Sequence, residues 1–219
     1  MKIVARILSA VFIPLLMPIY ALAMVMFLPQ DLDLTTYKDS LFILTPKAKN
    51  YFLMIFTTIS FVFPAISILV MRWTGLIQTV EMDQRRERFL PYIIIAVYGA
   101  GLTFLLLKVS KVSEISQHLL ALAIGCTVIS VINLFINLKI KVSAHATGVG
   151  ILIGFLLSYY MNQPISQMGY LIAAIFIGAA VICSRIVLQK HTDLELLVGF
   201  SVGSSMLIIT DLLLVNRII

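Results

Sequence analysis

From Val142 to Ser184 the chain has no lysine, arginine, aspartate or glutamate. A water-exposed segment of that length would need charged side chains, so this stretch belongs in lipid. Roughly 20 apolar residues cross a ~30 Å hydrocarbon core as a helix. The stretch is therefore too long for one span, and Asn162-Gln163-Pro164 divides it into two. Other charge-free runs lie between Arg6 and Asp31, Lys49 and Arg72, Arg88 and Lys108, and Glu114 and Lys139. A last run, Leu196 to Val215, carries one acid, Asp211. The pattern predicts seven candidate spans, an all-α polytopic transmembrane helical bundle of six to seven spans forming one integral membrane domain over residues 1–219. The overall balance agrees, at 61% hydrophobic and 12% charged with a mean hydropathy of +1.06, too apolar for the surface of a soluble domain.

Several classes are excluded. Lys2 and Arg6 precede the first apolar run as they would in a signal peptide, but Pro14 and Pro18 interrupt it and no small-residue cleavage pattern follows. It is expected to be a retained span. Cys126 and Cys183 both sit inside apolar runs, which supports neither a zinc site nor a disulfide framework. The formal charge of +6 comes from residues at span ends, so it marks a basic membrane-surface face and not nucleic-acid binding. No metal and no cofactor is expected, and oligomeric state is left open.

Seven crossings place the loops on alternate sides. The side of the N-terminus receives 72–88, 139–145 and 184–195. The other side receives 29–50, 108–117, 162–167 and the C-terminal residues. Every dense polar cluster falls on the first side. An even number of crossings separates each from the next, so one site can be assembled from all three.

The first cluster, EMDQRRERFLP at 81–91, brings arginines just before a span, and guanidinium forks suit phosphate. On a helix Arg85 and Arg88 share a face, and Arg88, nearest the span, is the inward candidate. A basic segment facing lipid headgroups is the plainer alternative. The second cluster, Ser143-Ala144-His145-Ala146-Thr147-Gly148, opens an apolar helix whose free first-turn N–H groups suit an anion. The third, SRIVLQKHTDLE at 184–195, sets Glu195 one helical turn after His191. A carboxylate there can hold the Nδ1 proton and leave Nε2 free as a nucleophile. Arg185 stands at the end of the preceding span, and a plain polar loop with a His–Glu helix pair is the alternative.

Together these clusters resemble the type 2 phosphatidic acid phosphatase superfamily. Ser184-Arg185, five residues, His191, three residues and an acid resembles its third signature, SRxxxxxHxxxD, with Glu195 in place of Asp. Ser143-Ala144-His145 resembles PSGH, with Val142 for Pro and Ala144 for Gly. The stretch ending Arg88-Phe89-Leu90-Pro91 is similar to KxxxxxxRP, with Glu81 where that family has Lys and the Arg-Pro pair split. The resemblance covers a phosphatase-like core of about residues 80–200. It implies a metal-independent membrane phosphatase acting on a lipid phosphate. His191 would be the nucleophile that becomes a phosphohistidine, Glu195 its orienting acid and His145 the general acid and base. Arg88, Arg185, Ser143 and the Ala144 N–H would bind phosphate, with Arg85 a substitute for the missing Lys. Lys190 and Asp193 fall off the signature positions and are expected to tolerate mutation.

Phosphatidic acid, phosphatidylglycerol phosphate, a polyprenyl (pyro)phosphate and a lipid A phosphate all suit such a site. The scarcity of large polar loops favours a small headgroup. The side of the clusters has ten Lys/Arg (2, 6, 72, 85, 86, 88, 139, 141, 185, 190) against six opposite. Five of the ten belong to the motifs, so the positive-inside rule gives no orientation once they are removed. The resemblance implies the periplasmic, outer face of a multi-pass cell-membrane protein. The alternatives are a non-catalytic lipid-binding relative, a transporter or a scramblase, and a transporter should show ionisable groups near mid-span.

Overall fold

A computed structural model describes residues 1–29, 40–111, 115–163 and 168–215. The regular structure among these residues is all helical, with no strand. The helices are α1 (Lys2–Val11), α2 (Met17–Phe27), α3 (Pro46–Thr57), α4 (Phe63–Trp73), α5 (Phe89–Ser110), α6 (Gln117–Ile136), α7 (Ala144–Met161), α8 (Met168–Val187) and α9 (Asp193–Val215). A π-helical turn, Thr58–Val62, welds α3 and α4 into one 28-residue helix. Pro64 follows that turn. Its ring has no N–H to donate and presses on the preceding turn, and one wide turn relieves the crowding.

Among the described residues six helices are long and apolar enough to cross a membrane alone: Pro46–Trp73, Arg85–Ser110, α6, α7, α8 and α9. The first apolar run behaves differently from the single span expected of it. Pro14 and Pro18 break it, and Lys2–Val11 and Pro14–Phe27 meet at 43°. At 1.5 Å per residue α2 is only about 16 Å long, so a seventh crossing exists only if the bent pair is counted as one. The chain is a multi-pass helical membrane protein. The loop expectations for 29–50, 108–117 and 162–167, Pro164 included, fall partly outside the described residues.

The bundle is organised around α7, of which 72% is buried, against at most 50% for any other span. Its closest neighbour is α9. Gly150 and Gly154 on α7 face α9, and Gly199 and Gly203 on α9 face α7, one turn apart on each helix. A Cβ on Gly203 would stand 2.3 Å from the Thr147 carbonyl oxygen, and one on Gly150 2.4 Å from that of Phe200. Paired small-xxx-small faces let two backbones touch, which lipid alone would not drive. Outward, Phe104, Phe135, Phe176 and Leu197 remain exposed, as a lipid-facing surface requires.

The helix ends carry the polar contacts. At one end the segments around 82–88, 139–143 and 185–195 are tied together. Arg85 donates to the Lys139 carbonyl at 2.8 Å and Arg88 to that of Val142. The Ser143 N–H donates to the Glu195 carbonyl at 3.2 Å. At the other end a buried group joins three helices. His118 Nδ1 lies 2.8 Å from Asp211 Oδ1, and Ser158 donates to Asp211 Oδ2.

Candidate active site

The third cluster is built by a helix cap. Thr192 Oγ1 accepts from the Glu195 N–H and Glu195 Oε2 accepts from the Thr192 N–H, both at 3.3 Å. This reciprocal capping box, T-x-x-E, starts α9 and fixes the Glu195 rotamer. The same Oε2 lies 2.8 Å from His191 Nδ1. A carboxylate only accepts, so Nδ1 carries the proton and the Nε2 lone pair is free. The His191 side chain is 2% exposed and that of Glu195 18% exposed, which shields the pair from solvent.

Burial holds His191 far below the ordinary histidine value, at about 4, with the Arg88 and Lys141 cations adding to that depression and Glu195 opposing it. The imidazole is therefore neutral at pH 7. The same cations would attract an anion to it.

The second cluster opens α7. Ser143 is its N-cap, fully buried, with Oγ accepting from the Ala146 N–H. Ala144 is the first helical residue, so its N–H belongs to the turn that has no intrahelical acceptor. His145 follows and lies within electrostatic reach of Arg185 and His191. Its Nε2 stands 3.2 Å from the carbonyl oxygen of Ser9, which makes Nε2 the protonated nitrogen. Thr147 pins the turn by donating to the Ser143 carbonyl at 3.1 Å and accepting from Asn133.

The two arginines nearest the histidines are both buried. Arg88 uses Nε on the Met82 carbonyl, at 2.9 Å, and one terminal nitrogen on Val142. Arg185 donates to Ser9 Oγ at 3.2 Å, while its Nε is buried and has no hydrogen-bond partner among the described residues. An unsatisfied buried donor of this kind costs about 1–3 kcal/mol. A phosphate oxygen would remove that cost.

His191, His145, Glu195, Arg185, Ser143, Ala144 and Arg88 thus share one end of the bundle. Arg85 does not join them. It is exposed, spends a donor on Lys139, and accepts on its own carbonyl from Asn137. Lys141 supplies the nearby cation instead, holding the Lys190 carbonyl at 3.1 Å. Burial and Arg88 lower its affinity for the proton. Its signal was its place in KIKVSAH, two residues before Ser143. Lys190 is also less idle than its position implied, since it pairs with Glu81 and Asp83 at 2.9 Å each. That cross-link raises Lys190 and lowers Asp83. These pairs are exposed, and such pairs contribute little, about 0–1 kcal/mol.

Two further polar groups were not assembled from the sequence, although Asp211 itself stood out there. Ser9 reaches Ser184, Arg185 and His145 from α1, and nothing local in KIVARILSAV singles it out. His118 pairs with Asp211, which could have been suspected as the two ionisable groups in otherwise neutral runs at the same end. Comparison with protein-family models, with curated proteins and with solved structures finds no match for this chain. Fold and site define its class: an all-helical multi-pass membrane protein with two histidines, an orienting carboxylate and two buried arginines gathered at one end.

Proposed function

We propose that the protein is an integral membrane phosphatase that hydrolyses a phosphomonoester or pyrophosphate of a lipid through a phosphohistidine. The observation that carries this reading is His191, neutral, held through Nδ1 by Glu195, with Arg88 and Lys141 around it and Arg185 beside the neighbouring His145. A neutral nucleophile in a cationic, water-poor corner is suited to attack on an anionic phosphorus centre.

In the first step His191 Nε2 forms a bond to phosphorus as the bond to the leaving oxygen breaks. His145, which takes up a second proton as the substrate dianion binds beside it, gives its Nε2 proton to that oxygen. Arg185 Nε, Arg88 and the first-turn N–H of Ala144 take the three equatorial oxygens, where charge is spread in the transition state. In the second step water attacks phosphorus, neutral His145 takes its proton, and His191 leaves with its lone pair restored. Glu195 offsets the positive charge that His191 carries in between. All the bonds made and broken are accounted for by these two histidines and water, so the reaction is proposed to be independent of metal. The lipid would enter sideways at the membrane face of the cell membrane, with the site on the periplasmic side, as the motif resemblance implies.

One observation favours a second reading, transport or scrambling: the buried His118–Asp211–Ser158 group. Intramembrane ionisable groups often mark ion paths. Here His118 is the second residue of α6 and Asp211 lies four residues before the end of α9. The group therefore sits near a membrane face, and both side chains are wholly enclosed. A polar staple between helices explains it better.

The test is phosphate release in detergent with EDTA from a panel of lipid phosphates, for wild type and His191→Ala. Release by wild type that the variant abolishes, with an acid-labile phosphohistidine trapped only in wild type, is the expected result. No release from any substrate, or an equally active His191→Ala, would overturn the reading.

A further inference from the structure

α1 has two opposed faces. Ala5 is buried and Leu8, Ser9 and Phe12 are half-buried, a single stripe along the helix and its cap. Ile3, Val4, Ile7 and Val11 are exposed on the other side, with the cations Lys2 and Arg6 beside them. The inner stripe packs on α8, whose last turn carries Ser184 and Arg185.

Ser9 is the polar member of that inner stripe, and it makes all of its contacts inside the site. Its carbonyl oxygen accepts from His145 Nε2 at 3.2 Å. Its hydroxyl accepts from Arg185 at 3.2 Å and lies 3.0 Å from Ser184 Oγ. The mechanism puts the leaving oxygen at His145 Nε2 and a phosphate oxygen at Arg185. Ser9 of the N-terminal helix holds the first position and a terminal nitrogen of the same Arg185 guanidinium, beside the Nε that is left for phosphate.

We propose that α1 is a lid on the active site, with Ser9 as a built-in substrate mimic and the outer face of α1 as its docking surface for anionic lipid. The idea rests on the phosphatase reading and adds its regulation. Pro14 and the non-helical residues before it, at the 43° bend, form the hinge. Exposed apolar side chains flanked by Lys2 and Arg6 suit the interfacial region of a bilayer with negative headgroups. A phosphate dianion forms charge-assisted bonds to Arg185, stronger than those of a neutral hydroxyl, so substrate displaces Ser9. The closed fraction then raises KM and leaves the chemical step untouched.

Two experiments follow. Ser9→Ala removes the hydroxyl that Arg185 and Ser184 hold, and should lower KM by roughly two- to tenfold at constant kcat, the range expected when one weak closing contact is lost. An unchanged or higher KM counts against the lid. The second is a lock, Ser9→Cys with Ser184→Cys, with Cys126 and Cys183 replaced by alanine. The two hydroxyls are close enough for a disulfide to form with little movement. The oxidised form should be at least about tenfold less active than the same protein after dithiothreitol. Equal activity, with the disulfide verified by mass spectrometry, would overturn the proposal.

If wild type releases no phosphate, the phosphatase reading fails, and the lid is judged by the disulfide alone. Its rate of formation should be slower in phosphatidylglycerol–phosphatidylcholine vesicles than in phosphatidylcholine alone. Equal rates, or no disulfide in either, would refute the lid on its own terms.

Discussion

Glu195 has two jobs in one oxygen, and replacing it by glutamine separates them. Oε2 caps the start of α9 through the Thr192 N–H and holds His191 Nδ1 at 2.8 Å. Glutamine serves a capping box as well as glutamate does, and both partners need an acceptor, so the amide oxygen should take the place of Oε2. Shape is kept and the charge is lost. That charge faces the positive charge developing on His191. At ~4 Å and an effective dielectric near 20, it is worth about 4 kcal/mol. The His191 side chain is 2% exposed and that of Glu195 18% exposed, so solvent takes little of this away. The expected loss in kcat is thus about 10²–10⁴-fold, with the melting temperature in detergent close to wild type. Thr192→Ala gives the converse. It removes the cap, costs about 1 kcal/mol of stability, and should leave kcat within a few fold. Phosphate release and thermal unfolding of the two variants side by side decide the matter. A Glu195→Gln enzyme within threefold of wild type would refute the reasoning and leave Glu195 as a cap alone.

Three other outcomes are expected. His191 is active when neutral and is held at about 4 by burial and its cationic neighbours, so kcat/KM should persist down to pH near 4 and not fail near the ordinary 6.5, as a pH–rate profile will show. The same depression means that the unfolded chain takes a proton between 6.5 and 4 that folded His191 refuses, so stability should decline across that window. Gly203→Ala forces a methyl to 2.3 Å from the Thr147 carbonyl and should cost about 1–3 kcal/mol or more by overpacking. Gly101→Ala, which meets nothing within 4 Å, should be neutral or stabilise by up to about 1 kcal/mol, as thermal unfolding will report. Asp211→Ala leaves His118 and Ser158 without their buried acceptor and should cost about 1–3 kcal/mol without changing kcat at 25 °C, since the proposed reacting end of the bundle lies at the other membrane face.

What the sequence revealed and what it hid follow from the range of the forces involved. Charge-free runs report burial in lipid one segment at a time, so six spans could be read directly from them. The parity of crossings placed the three polar clusters at one end, and Arg88→Val142 together with Ser143→Glu195 shows them meeting there. The His191–Glu195 pair was legible because its four-residue spacing is local, whereas the capping box through Thr192 emerged only in the structure. The first run has the composition of a span, and Pro14 and Pro18 add the 43° bend that composition does not show. Arg85 was placed by helical periodicity, but residues 85–88 wind as a tighter 3₁₀ turn and turn Arg85 toward Lys139. Ser9 was hidden for a different reason, and of the His118–Asp211 pair only the acid stood out. Each is defined by a partner more than 90 residues away in sequence, and no local pattern encodes that.

The glycines on α7 and α9 connect the fold to the chemistry. His145 is on the first turn of α7, and His191 and Glu195 are at the start of α9, so the spacing of the two histidines depends on how closely these helices approach. Gly199 sits where a Cβ would be 2.7 Å from the Ser143 carbonyl, one turn after Glu195 on the same helix. The Ser143 N–H to Glu195 carbonyl bond closes the approach on the other side of that contact. A methyl at Gly199 would push Ser143 from Glu195, and with them His145 from His191, by a few tenths of an ångström or more. Proton transfer and in-line attack depend on positions held to about 0.5 Å, so activity should fall further than stability in Gly199→Ala. At Gly154, where a Cβ would be 2.7 Å from the Ser204 carbonyl, the clash lies about two and a half turns from His145, and Gly154→Ala should lower stability with a smaller effect on kcat. Comparing kcat at matched folded fractions for the two variants tests this gradient. Equal losses at both positions would mean that the two helices move as one rigid unit and that the glycines set no local geometry.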